Sequence, residues 1–282
     1  MAGLSERLTG AGNGPWLEYI GYAGKLLAGG KVPWTAVDGA MAWLRQSQGL
    51  LRSSVVAVPV AIIAAAWLDQ NPALRTAMAG KSRTIFPLRT LLADPGLRAH
   101  LRGLFEATGA SLSSLPLVAV IPSPRAWVGL AYDQAFPGTE AEIDEDAIDS
   151  AASYIADFLR ELPQTVVAGI LLDESGVASP LSADITGLYQ PIFNIANHYR
   201  WQVGILAPQP GTAGAIAAAA AGAPDFWITT EPVAGKTCGI IVPEAFWSGT
   251  AAPARPEGGF RYAAIPSEAQ PESVLERLAT LQ

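Results

Sequence analysis

The chain holds one cysteine and two histidines among 282 residues, and only 15% of its residues are charged. A single thiol, Cys238, excludes an intramolecular disulfide. So few His and Cys side chains leave no ligand set for a structural or thiolate-activating zinc, so neither a metal nor another cofactor is expected. Charge is scarce relative to the usual quarter or so of a globular chain, which predicts that part of the surface is covered by a partner subunit in a homo-oligomer. The net charge of -7, with no Lys/Arg block, excludes the electrostatic footprint of a nucleic-acid binder. No apolar run reaches the roughly 20 residues of a membrane span. The longest, Val55 to Leu68, contains Pro59 and stops at Asp69, Gln70 and Asn71. The opening MAGLSERLTG lacks a basic-then-apolar signal pattern, so a cytoplasmic protein is expected. Dinucleotide, Walker, nucleophile-elbow and zincin motifs are also missing.

What the sequence does contain is a buried strand ending in acid. The run from Val167 to Ser175 is continuously apolar and then presents Asp173 and Glu174 side by side. Strands apolar on both faces belong to parallel sheets, and α/β enzymes place reacting groups at the carboxyl ends of such strands. The pattern around this run alternates strand and helix: Leu117 to Ile121 followed by a loop on the rim, helix Glu145 to Leu162, Val167 to Leu172, helix Leu188 to Tyr199, Val203 to Leu206, an alanine-rich helix Ala213 to Ala221, and Phe226 to Thr229. Gly239 to Val242, Phe260 to Ile265 and a last helix Pro271 to Leu281 follow. Units of this length require parallel strands with crossover helices. The fold class is therefore α/β, a (β/α)8 TIM-type barrel, with a doubly wound parallel sheet as the alternative. The first 110 residues read as mostly helical, over Trp16 to Leu27, Thr35 to Leu51 and Leu88 to Thr108, with turn signals that include Asp94, Pro95 and Gly96; a barrel requires one or two strands hidden here, and Ser54 to Val60 is the best candidate. Without repeats or linkers, residues 1–282 form one barrel domain, with clear β/α units over 116–281.

The helix carrying Tyr154, Ala156, Asp157 and Leu159, followed by a strand ending LLDE, resembles the matching unit of the uroporphyrinogen decarboxylase and cobalamin-independent methionine synthase superfamily. The likeness spans about Pro116 to Leu281 and implies a (β/α)8 barrel with an acidic pair at its rim. The zinc ligands of the thiol-methylating members have no counterpart here, because the later strands end in Ala207, Pro208 and Gln209 and in Pro266 and Ser267. The resemblance thus implies a metal-independent lyase or decarboxylase acting on a small carboxylated compound. Two alternatives stand beside it: a zinc-free methyl or one-carbon transferase using a corrinoid or folate partner, and a non-catalytic ligand-binding or assembly subunit.

Candidate catalytic residues are Asp173, Glu174 and Glu231, the last following strand Phe226 to Thr229 on the same rim. Against this, Glu174, Ser175 and Asp184 also fit ordinary loop polars capping the next helix. Arg125 would clamp a substrate carboxylate bidentately, with Trp127, Tyr132, Trp227 and Trp247 as walls or covers of the pocket. Equally, Arg125 fits a surface arginine at a Pro-bounded turn and Trp127 fits plain core. His198 ends a helix before a strand, which in a barrel is the face away from the chemistry, and His100 fits a helix surface. Cys238 opens an apolar strand and reads as an inert buried thiol.

Overall fold

A computed structural model of the chain describes residues 4–10, 13–211 and 224–281. The strands in chain order are β1 Trp16–Glu18, β2 Val56–Pro59, β3 Leu117–Pro122, β4 Val167–Asp173, β5 Gln202–Leu206, β6 Phe226–Thr229, β7 Cys238–Ile241 and β8 Phe260–Ala264. The helices are α1 Leu4–Thr9, α2 Ile20–Ala28, α3 Val37–Leu51, α4 Val60–Gln70, α5 Pro72–Met78, α6 Phe86–Leu92, α7 Pro95–Ser111, α8 Pro124–Ala135, α9 Glu145–Leu159, α10 Ala183–Gly187, α11 Gln190–Tyr199 and α12 Pro271–Ala279.

All eight strands are parallel, in the order β1-β8-β7-β6-β5-β4-β3-β2. A doubly wound sheet would reverse its strand order at a switch point. Here the order runs on without reversal until β8 meets β1, so the chain is a nearly closed (β/α)8 barrel. Only β1 and β2 share no ladder among neighbouring described strands. They touch at their amino ends, where the Ser54 amide donates to the Pro15 carbonyl at 3.0 Å and the Leu17 amide to Ser53 Oγ at 2.9 Å. Among the described residues no helix is long and apolar enough to cross a membrane.

Two cores follow from the alternation of strand side chains. The outer core lies between strands and helices and takes in Leu17, Trp127, Phe158, Leu172, Trp227 and Trp247. The inner core fills the barrel with Trp16, Leu171, Phe226, Phe260 and Tyr262 among others. Ring centroids within it stand 5.8–6.3 Å apart, and tilted aromatic pairs at such spacing add about 0.5–1.5 kcal/mol each beyond their burial. The rings fit because the adjacent strand carries glycine at the paired position: a Cβ on Gly204 would stand 2.0 Å from the Phe226 ring, and one on Gly239 would stand 2.5 Å from Phe260. Below this layer, Leu4 and Leu8 of α1 stop the amino end of the barrel. Ser5 and Gln202 hydrogen-bond reciprocally at 2.6 Å, and the Arg255 guanidinium donates to the carbonyls of Leu8 and Gly10.

The sequence expectations need correction in three places. Trp16 to Leu27 is not one helix, because β1 supplies only three residues before α2 begins and the two apolar patterns merge. The segment after Ile121 is not a loop. Ser123 caps α8 by accepting the Ala126 amide, and Pro124 occupies its first turn. Leu88 to Thr108 is broken where Asp94 caps α7, its Oδ1 accepting the Leu97 amide at 2.7 Å. The helix expected over Ala213 to Ala221 lies outside the described residues.

Candidate active site

At the carboxyl end of the barrel a cavity of about 550 Å³ opens among Trp16, Ala57, Val120, Leu171, Leu206 and Ile241. Its walls are mostly apolar, and its polar residues are few: Glu18 from the end of β1, Tyr19 beside it, Asp173 from the end of β4, Ser175, and Tyr262 of β8. Register places Trp16 beside Tyr262 and Glu18 beside Ala264, so the tyrosine ring stands one layer beneath the Glu18 level. Asp173 sits level with Pro122 and Leu206 on its two neighbours. Strand ends on opposite parts of the barrel thus bring two carboxylates to one mouth.

Each carboxylate is oriented from its own backbone. Glu18 Oε1 accepts the Ile20 amide at 2.9 Å at the start of α2, and Asp173 Oδ1 accepts the Ser175 amide at 2.8 Å in a tight turn. Burial raises the Glu18 carboxyl above its ordinary range; the Ile20 hydrogen bond works against this, and the charge of Asp173 adds to it. Tyr262 is pushed well above a free phenol by burial, then by Glu18 and Asp173. Both carboxylates therefore act on the same hydroxyl across the mouth. No ion pair among the described residues engages Glu18 or Asp173. No Arg, Lys or His is among the described residues lining the cavity. Also among the described residues, no group of three or more His, Cys, Asp and Glu side chains is placed to hold a metal ion.

Glu174 has a different setting. It is 0% exposed and its Oε2 accepts Arg125 Nε at 2.7 Å, while Oε1 accepts the Tyr189 hydroxyl at 2.5 Å. Burial first, and then the charge of Glu174, raises the Tyr189 phenol, which keeps it a donor. The Arg125 guanidinium, 8% exposed, also donates to Ser179 Oγ and to the Ser179 carbonyl, each at 3.0 Å. Arg125 is therefore not the surface arginine that the turn-like sequence suggested, and its Nε and both terminal nitrogens already have partners within the protein.

The other candidates are dispersed. Trp127 meets Phe158 edge-to-face at 6.0 Å in the outer core, where the α8 helix directs it. Trp227 lies in the same outer core, and Trp247 is buried with its indole donating to the Ala264 carbonyl at 2.7 Å. Tyr132 meets Phe136 in a tilted pair at 4.9 Å between ring centroids, and Glu231 is exposed. None of these four aromatic residues, nor Glu174, Arg125 or Glu231, lines the mouth cavity; Asp173 does. His198 is exposed at the end of α11, His100 meets the Trp34 carbonyl at 2.8 Å, and Cys238 is buried with its thiol raised by burial.

Sequence reasoning missed Glu18 and Tyr262. Glu18 was hidden by the helical reading of its segment. A signal was nonetheless available, since an acid after the apolar pair Trp16 and Leu17 repeats on a shorter strand the pattern that singled out Asp173. No protein-family model matches the chain, and no curated protein matches it in sequence.

Proposed function

We propose that the chain is a lyase that works by proton transfer at the barrel mouth, on a small substrate that is uncharged and largely apolar. The observation that carries this is the convergence of Glu18, Asp173 and Tyr262 in one apolar cavity whose described lining has no cation. Two carboxyl groups whose environments differ can divide acid and base roles. Glu18, raised by burial and by its neighbour, holds a proton to higher pH and is the acid. Asp173, with one oxygen on the Ser175 amide, has its other oxygen for a substrate C–H and is the base. In an elimination, Asp173 takes the proton, the C–H electron pair becomes a double bond, and the leaving group departs with the proton of Glu18. Tyr262, a phenol that burial keeps protonated, lies beneath them as a hydrogen-bond donor for the substrate.

This keeps the lyase class that the resemblance implied and changes the substrate. A carboxylated compound would bring a further negative charge into an apolar cavity beside Asp173, with Arg125 already engaged by Glu174. The test needs no prior substrate. A panel of small neutral compounds is incubated with the protein in heavy water, and mass spectrometry reads deuterium incorporation. Wild-type and His198→Gln protein should label the same compound, and Asp173→Asn should label it about 10² to 10⁴ more slowly. Equal labelling by Asp173→Asn would refute the assignment.

A further inference from the structure

The mouth cavity does not stop at the inner face of the barrel. Besides the inward-facing Trp16 and Glu18, it is lined by Leu17, whose side chain belongs to the outer core, by Ile20 and Gly21 of α2, and by Ala61 and Ile62 of α4. These residues flank the one neighbouring strand pair without a ladder, β1 and β2. The seam is closed at its base by the Ser54 and Leu17 hydrogen bonds described above. Above them β2 ends at Pro59, which has no N–H to leave unpaired, and α4 begins at once. An opening there costs little unmet hydrogen bonding, and Leu17, Ile20, Gly21, Ala61 and Ile62 bring no charge to it; Tyr19, which also lines the cavity, donates its hydroxyl to Gln48 Oε1 at 3.5 Å. Ile62, 46% exposed, stands at its outer end.

We infer that the β1/β2 seam is the subsite for a hydrocarbon arm of the substrate, so that the molecule reacting between Glu18 and Asp173 carries an unbranched apolar chain directed toward Ile62. The occupant is fixed by continuity, because seam and carboxylates belong to one cavity. A polar or ionised arm would lose its hydration there without a partner. This rests on the mouth being the binding site, and it adds the shape and chemistry of what binds.

The test reads binding, not turnover. N-phenyl-1-naphthylamine, an uncharged fluorescent probe, is bound to the intact protein and displaced by straight-chain primary alcohols from butanol to decanol. Apparent affinity should rise about three- to fourfold per methylene. Ala61→Phe, which fills the seam, and Ile62→Asp, a surface change that leaves the fold alone, should flatten that rise for the longer alcohols and leave butanol unchanged. Asp173→Asn should keep the wild-type rise. Unchanged chain-length dependence in both seam variants would overturn the inference, as would a wild-type affinity indifferent to chain length or an absence of binding by any alcohol. A flat series beside an inactive Asp173→Asn variant would remove the seam subsite and leave the proton-transfer proposal standing. The reverse pairing would do the opposite.

Discussion

Asp173 and Glu174 are neighbours in the chain and occupy contrasting surroundings. Asp173 is partly buried at an apolar mouth, held by one backbone amide and engaged by no cation among the described residues. Glu174 is fully buried, ion-paired to Arg125 and bonded to Tyr189. Because successive side chains on a strand point to opposite faces, the first enters the barrel and the second enters the layer outside it. A buried carboxylate with a cation and a donor holds structure together. A carboxylate at the mouth with a second carboxylate across from it has charge to spare for chemistry.

Stability should separate the two carboxylates most. Glu174→Gln strands the Arg125 charge in the outer layer and should cost about 3–5 kcal/mol in a urea titration, whereas Asp173→Asn should change the midpoint little. Equal midpoints for the two variants would erase the distinction. Next in size, the double change Arg125→Met with Glu174→Leu removes both charges together and should recover most of that loss, because apolar residues of similar volume replace such pairs at little cost. A double variant as unstable as Glu174→Gln would show that the network does more than balance charge.

The inner core offers a third test. Gly204→Ala drives a methyl into the Phe226 ring and should cost about 1–3 kcal/mol, partly restored by Phe226→Leu in the same chain. Additive losses would mean that the two do not share that space.

The smallest effect is one of pH. Glu18 has its folded carboxyl raised above the unfolded value, so folding is disfavoured as pH climbs through that folded value, and nothing is lost below the unfolded one. Glu18→Gln should therefore melt higher than wild type at neutral pH, with the difference closing as pH falls below the ordinary glutamate range. A gap that widens toward acid would reverse the sign and the environment assigned to Glu18.

Much of the barrel was legible because β3, β4 and β5 are separated by helices and each is long enough to show an apolar run. β1 was not, since three residues cannot establish a period and α2 starts after Tyr19 alone. Asp173 was legible as an acid ending a buried strand. Its partner in the mouth was not, because Glu18 and Asp173 meet through the closure of the barrel and not through any local spacing. Arg125 illustrates the same limit: its partner lies 49 positions away, and no pattern in its own segment announces the ion pair. The Ser123-Pro124 signature was legible, and attention to it would have turned the supposed rim loop into α8.

The proposed chemistry requires Glu18 and Asp173 to sense one another across the mouth. Carboxyl carbon-13 labelling of Glu and Asp, with an NMR titration of wild-type protein and of Asp173→Asn, measures this without any substrate. Glu18 should titrate above the ordinary glutamate range in the wild type and move down when Asp173 is neutralised. A Glu18 that titrates as a free glutamate, or that is indifferent to the loss of the Asp173 charge, would contradict the pairing on which the proposed chemistry stands.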